Sequence, residues 1–269
     1  IFADPPYDFE ESQFLKIADI VFERNLLNED GLLIIEHSKH TDLTSHPKHS
    51  YDKRYGGNVF SFFEKQLFKI KNVSPARDQL ELHNYDISNL IAIIPSHMHW
   101  DHASALEDFM GIPIWLEEKS LHEAQSGNPP AFVLSQYDDP NLIWNFLELA
   151  DHKYEGFERS YDVFDDGSVV LVGLSGHTKG QLGMFLNLES GKRYFFIGDT
   201  SWAQLGIKNN KPRPKFVDWL VGVDSDYDKN NQVVQTIHDF SIKNPNVLII
   251  PAHDEIVAKG LPRYPVFSD

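Results

Sequence analysis

No cysteine occurs in the 269 residues, which excludes a disulfide framework and a thiolate metal site, so any bound ion must be held by imidazole and carboxylate. Positive charge is also scarce: 24 Lys plus Arg stand against 40 Asp plus Glu, a formal net charge of -16. That balance disfavours tight non-specific binding to nucleic acid or to an anionic membrane, both of which attract basic surfaces. No apolar run approaches the ~20 residues that span a bilayer, so the chain reads as soluble, with the cytoplasm the favoured compartment and no membrane partner. No G-x-G occurs anywhere, and there is no internal repeat. The first residue is Ile1, inside an expected strand, which leaves an earlier signal peptide an open question.

What is present is a folded composition, 41% hydrophobic, in a chain long enough for two modest domains or one large one. Its densest cluster of chemistry is His97-Met98-His99-Trp100-Asp101-His102, which follows the apolar run Leu90 to Ile94. Such a run has the length of a buried strand, and alternate side chains of extended chain share a face. His97 and His99 can therefore converge on one ion, while Asp101 and His102, opening an expected helix through Ala103 to Met110, can turn to a second. Trp100 is then expected to cover the site. Singly, each histidine is an ordinary surface residue and Asp101 a helix cap. Three further candidates alter that weighting, because each also ends an apolar run: His177 after Ser168 to Leu174, Asp199 after Tyr194 to Ile197, and His253 after Val247 to Ile250.

HMHWDH, the GHTKGQ around His177, the FIGDT around Asp199 and the PAH at His253 resemble the metallo-β-lactamase fold over roughly Asn72 to Asp269. The resemblance implies an α/β chain folded as an αββα sandwich, N-terminally truncated, since too few residues precede the His-x-His motif to supply all the early strands. It also implies two divalent transition-metal ions, with zinc suited to the ligands. Residues matching His97, His99 and His177 hold one ion in dinuclear members, those matching Asp101, His102 and His253 the other, and Asp199 bridges. A water between the ions then becomes the hydroxide that attacks an ester or lactone carbonyl, and Asp101 passes a proton to the leaving group. The ligand set is most similar to lactonase-like members, which makes a small-molecule substrate the expected partner. In those relatives a tyrosine commonly lies three residues beyond the bridging aspartate. Trp202 stands there in this chain, with one donor and a larger apolar face, so the expected substrate carries a substantial apolar part.

A different family is suggested at the start. Asp4-Pro5-Pro6-Tyr7 after a strand, with LLIIEHSK and RYGGNVFSFFE, resembles the C-terminal half of a 16S rRNA guanine-N2 methyltransferase of the RsmD type. The plainer reading of Asp4 to Tyr7 is a rigid surface turn. The resemblance implies an appended α/β fragment over 1–65, a junction over 66–75 and a hydrolase domain over 76–269. These early strands either belong to a fused fragment or occupy the vacant sheet edge. The half that binds S-adenosylmethionine is missing, so none is expected as cofactor. Residues 1–65 hold 12 Asp plus Glu against 7 Lys plus Arg, the wrong sign for an RNA surface.

Other expectations complete the reading. A helix spans Phe9 to Leu27, a turn Asn28 to Gly31, and strands Leu32 to Ile35 and Asn58 to Phe63. His37, His40, His46 and His49 are read as one solvated loop. Gly127 to Tyr154, rich in aromatics, either covers substrate or packs on the core. Lys208 to Lys215 is a basic, proline-containing loop. The alternatives to a metal-dependent hydrolase are a methyltransferase remnant and a metal-binding module without catalysis.

Overall fold

The computed structural model describes residues 1–27, 31–55, 57–64, 75–128, 131–215 and 222–262. Most of the junction and turn expectations, and Pro129 and Pro130, lie outside these residues. The chain divides into two compact units, 1–73 and 74–269.

In the first unit β1 (Phe2–Ala3) leads through α1 (Glu11–Glu23) to β2 (Leu32–Ser38), and β3 (His49–Tyr55) and β4 (Asn58–Glu64) form a hairpin. The sheet order is β1-β2-β4-β3, with β1 parallel to β2 and the other pairs antiparallel. Phe14, Ala18 and Val21 recur at helical spacing on α1 and bury against Leu33, Ile35 and Phe63. A box formed by Glu10 and Gln13 caps the helix start.

The solvated histidine loop is corrected here. His37 lies in β2, 1% exposed, with Nε2 2.7 Å from Ser61 Oγ. His46 is buried between the rings of Phe22 and Phe63, and His49 begins β3. Their polar sequence neighbours are outweighed by aromatic partners contributed by α1 and β4.

In the second unit β7 (Ser160–Asp162), β8 (Val169–Gly173), β9 (Leu182–Asn187) and β10 (Arg193–Gly198) make an antiparallel meander, to which β11 (Val247–Pro251) adds in parallel. Among the described residues this unit holds the helices α2 (Ala76–Leu82), α3 (Trp100–Ala103), α4 (Glu118–Ser126), α5 (Gln204–Lys208), α6 (Tyr227–Lys243) and α7 (Glu255–Lys259). On one face α6 sets Val234, Ile237 and Phe240 against Val170, Val172, Phe185 and Phe195. Alternation along β8 sends Leu171 to the other face, where it meets Leu147, Leu149 and Leu182, flanked by Trp115 and Ile94. There β5 (Ile114–Leu116) and β6 (Trp144–Phe146) pair in parallel. α4 (Glu118–Ser126) covers them through Leu121 and Ala124. The order helix, sheet, sheet, helix is thus kept, with the second sheet reduced to two strands among the described residues.

Two expected elements near the histidines differ. Leu90 to Ile94 is extended but joins a neighbour only at Ile93, which pairs with Ile114, and Ile91 is 59% exposed. A buried strand needs partners on both edges, and the reduced sheet offers few. The expected helix Ala103 to Met110 is split into α3 (Trp100–Ala103) and a 3-10 turn, Leu106–Phe109. In the tighter turn Leu106 and Phe109 align and bury together.

Candidate metal centre

All seven ligand candidates sit at strand or segment ends on one rim of the larger sheet. His97 and His99 follow the extended segment, which is tied to the sheet where Ser96 O accepts from Leu182 N at 2.8 Å. Asp101 and His102 lie on α3. His177 occupies the turn from β8 to β9, Asp199 directly follows β10, and His253 stands two residues beyond β11. The His177 turn needs Gly176, where a Cβ would lie 2.5 Å from Asn230 Cα. Ser120 Oγ donates to Gly180 O at 2.9 Å, and buried Glu123 accepts from Lys179 N at 2.6 Å, so α4 grips the far side of the same turn.

Three sets of side chains bring their ligand atoms within 4.8 Å of one another: His97 with His99 and His177, His97 with His102 and Asp199, and Asp101 with His102 and His253. Asp199 lies at the centre. Its Oδ1 is 3.3 Å from His102 Nε2, and its Oδ2 is 3.0 Å from His253 Nε2 and 3.8 Å from His177 Nε2. His102 Nε2, His177 Nε2 and Asp199 Oδ1 are buried without a well-formed hydrogen bond among the described residues. Orphaned buried imidazole and carboxylate atoms that converge are costly unless a cation completes them, so this donor set fits divalent metal.

The Nδ1 atoms of His97, His102 and His177 are tethered. Ser96 Oγ lies 3.1 Å from His97 Nδ1 and 3.5 Å from His102 Nδ1. His177 Nδ1 lies 2.9 Å from Asp224 Oδ1. Asp224 and Arg213 were not foreseen in the sequence. Trp202 turns its Nε1–H to Asp199 Oδ2 at 3.2 Å, and the Arg213 guanidinium lies 5.0 Å from its ring centroid. Of the aromatic insertion, Phe132 packs against His99, with ring centroids 4.8 Å apart, and Tyr137 is buried with α4. Trp100 donates its backbone N–H to Ala131 O at 2.9 Å. Asp4 to Tyr7 belong to the first unit, at the end of β1. Tyr7 donates to Glu36 Oε1 at 2.7 Å, and Asp4 and Pro6 are exposed.

Crowding sets the proton affinities of the metal-free cluster. Burial, then repulsion from His177, keeps His97 far below its usual value and takes His99 down to about 3. Both are thereby neutral and ready to ligate. Hydrogen bonds to Asp101 and Asp199 push His253 up to about 10. Burial opposes ionisation of Asp199, but the close approach of the His102 and His253 imidazoles, with His97 beside them, outweighs it and holds the carboxyl well below the ordinary range.

A pH dependence follows. Unfolding raises the values of His97 and His99 back towards 6.5, so their contribution is present above pH 6.5 and lost as pH falls towards 3. His253 contributes below 6.5 and loses its effect as pH rises through about 10. Stability of the metal-free chain is therefore expected to peak near neutrality and to fall on the acid side by about 1.4 kcal/mol per pH unit for each imidazole that protonates on unfolding. Denaturant titration at about pH 5, 6.5 and 9 checks this, and equal stability at all three would refute it.

A family profile described as Metallo-beta-lactamase superfamily matches residues 64–253, and one described as Conserved hypothetical protein 95 matches residues 1–64. The N-acyl homoserine lactonase AttM of Agrobacterium fabrum is 24% identical over 129 residues, 47% of each chain. An N-acyl homoserine lactonase of a Bacillus species is 27% identical over 128 residues, 48% of this chain and 45% of that one. The chain spans about half the length of these curated relatives. Among solved structures, a B. thuringiensis AiiA mutant with N-decanoyl-L-homoserine bound at its active site superposes with TM-score 0.56 at 18% identity, covering 78% of this chain and 71% of that one. A quorum-quenching N-acyl homoserine lactone lactonase gives 0.54 at 20%, covering 69% and 67%. These two likenesses are of fold. The second profile bears out the methyltransferase-type resemblance read from Asp4 to Tyr7 and its neighbouring strands. The first encloses all seven ligand candidates and most of the chain, and the chain belongs to the metallo-beta-lactamase superfamily.

Proposed function

We propose that this chain is a metal-dependent hydrolase of lactones or esters that carry a substantial apolar part. The observation that carries the reading is the convergence of six imidazole and carboxylate side chains around Asp199, with three buried atoms of the set lacking a hydrogen-bond partner among the described residues. His97, His99 and His177 would hold one ion, Asp101, His102 and His253 a second, and Asp199 would serve both. Divalent ions at such ligands, zinc first among them, supply Lewis acidity toward a carbonyl oxygen and acidify water.

The chain's own groups do the rest. Phe132 against His99 and the Trp202 ring beside Asp199 give the rim an apolar lining that limits water. Asp101 is more accessible than Asp199, and its Oδ2 lies 3.3 Å from His253 Nε2. A carboxylate so placed can take a proton at the site and release it to the leaving alkoxide. The curated relatives are named N-acyl homoserine lactonases, which supports the lactone class.

Elemental analysis of protein never exposed to chelator is expected to find close to two transition-metal ions per chain, alongside hydrolysis of an N-acyl homoserine lactone. Folded protein without metal would sink the reading. Metal without hydrolysis would leave a binding module.

The first unit is not proposed to methylate. Asp4, Pro5, Pro6 and Tyr7 stand at a strand end, and residues 1–64 themselves hold no G-x-G. Calorimetric titration with S-adenosylmethionine is expected to give no saturable heat, and micromolar binding would reverse that assignment.

A further inference from the structure

Two residues outside the ligand set, Arg213 and Asp224, join the His177 turn to the Asp199 turn. Arg213 is 7% exposed at its side chain and Asp224 0%. The Arg213 guanidinium pairs with Asp224 through Nη2 and donates through Nη1 to the backbone oxygen of Asp199 at 2.7 Å, while its face lies over Trp202. Asp224 Oδ1 lies 2.9 Å from His177 Nδ1, and its Oδ2 accepts from Asn230 Nδ2 at 3.3 Å. The backbone reinforces this, since Ser225 N donates to His177 O and Asp226 N to Gly176 O, both at 2.9 Å.

An imidazole that ligates through Nε2 must carry its proton on Nδ1, and an ionised carboxylate can only accept. Asp224 therefore selects the tautomer that leaves His177 Nε2 bare, and that nitrogen is buried with no hydrogen-bond partner among the described residues. A competing donor sits close by: Arg213 Nη2 is 3.3 Å from the same Nδ1. Were it to donate there, the proton would move to Nε2 and the ligand would be lost. The shorter carboxylate distance, and the fact that Nη2 is already committed to Asp224, decide for the first arrangement.

We propose that Asp224 and Arg213 are a positioning pair. Asp224 fixes His177 as the Nδ1–H tautomer, and Arg213 ties the His177 turn to the Asp199 turn so that both present their atoms to one point. The inference rests on the metal-site reading only for its affinity readout, because the tautomer can be read without metal.

The test uses the full chain. Nitrogen-15 spectra of the metal-free protein, with His177 assigned from His177→Gln, are expected to show protonated Nδ1. The double variant Asp224→Ala with Arg213→Met, which strands no buried charge, is expected to lose that preference. Its zinc affinity, measured by chelator competition, should fall about 10- to 100-fold, the usual effect of removing such a partner. Asp224→Asn replaces an acceptor-only group by one that can also donate, and is expected to shift His177 towards the Nε2–H tautomer and to weaken zinc binding. Arg213→Lys cannot reach both partners at once and should lose about tenfold in affinity with the tautomer unchanged. A protonated Nε2 in the parent chain would overturn the proposal, as would an unchanged affinity in a folded double variant. If the double variant does not fold, unchanged affinity in Arg213→Lys overturns it equally. A parent chain that binds no zinc defeats the metal-site reading instead, and the tautomer spectrum still decides this one.

Discussion

Dialysis against a strong chelator is expected to reduce lactone hydrolysis about 10³-fold, with recovery on adding zinc back; metal assistance contributes several kcal/mol to such reactions, and about 4 kcal/mol corresponds to that factor. Asp199→Ala is expected to cause the same loss without recovery. The reason lies in the charge arrangement. Among the described residues Asp199 is the carboxylate that lies beside His102, His177 and His253 together. Without it, Asp101 would be the one carboxylate left in the seven-residue set to offset the charge of the proposed ions. Metal loss should also be visible as destabilisation. A site held at 100 times its dissociation constant stabilises the folded chain by about 2.7 kcal/mol, so chelation should lower the melting temperature of the second unit. Asp199→Asn preserves shape and one oxygen, and should retain part of the bound metal with little turnover. Full activity in protein shown to contain no metal would remove the metal-dependent reading altogether.

The clustering of the seven candidate ligands was legible because their four motifs each follow an apolar run, so local sequence already places them at a sheet rim. The meander from Ser168 to Ile197 and the final strand were legible for a similar reason, through alternation and turn residues. Asp224 and Arg213 were not. Each is a single charged residue in a polar stretch, and the Lys208 to Lys215 run reads as a basic loop. Nothing local distinguishes Arg213 from Lys211 or Lys215, and only the fold puts its guanidinium beside Asp224. The same limit works in reverse for His37 and His46, whose polar neighbours suggest solvent. Their burial comes from Phe22, Ser61 and Phe63, more than ten residues away in sequence. β3 was missed because its charged residues belong to an edge strand, where polar side chains are tolerated and discourage further pairing.

Substrate preference is expected to follow the length of the apolar part, with Trp202 as the residue that reads it. Its only donor, Nε1–H, is engaged with Asp199 Oδ2, so it has none to offer a substrate carbonyl. One part of the ring meets the Arg213 guanidinium, yet the residue is 39% exposed, which leaves apolar surface beside Asp199. An acyl chain laid on that surface gains about 0.8 kcal/mol for each methylene it removes from water. Two or three buried methylenes then favour a decanoyl over a butanoyl lactone by about 10- to 50-fold in kcat/KM. Trp202→Phe keeps the apolar ring and should keep the preference, although it frees Asp199 Oδ2 and can alter metal affinity. Trp202→Ala removes the surface and should bring the two substrates within about threefold by weakening the longer one. A panel of long- and short-chain lactones, an aryl ester and a phosphodiester, run on the parent chain and both variants, makes the comparison. Equal turnover of long and short lactones by the parent chain would end the role assigned to Trp202. Preference for the phosphodiester would remove the lactone reading and leave a metal-dependent hydrolase of another class.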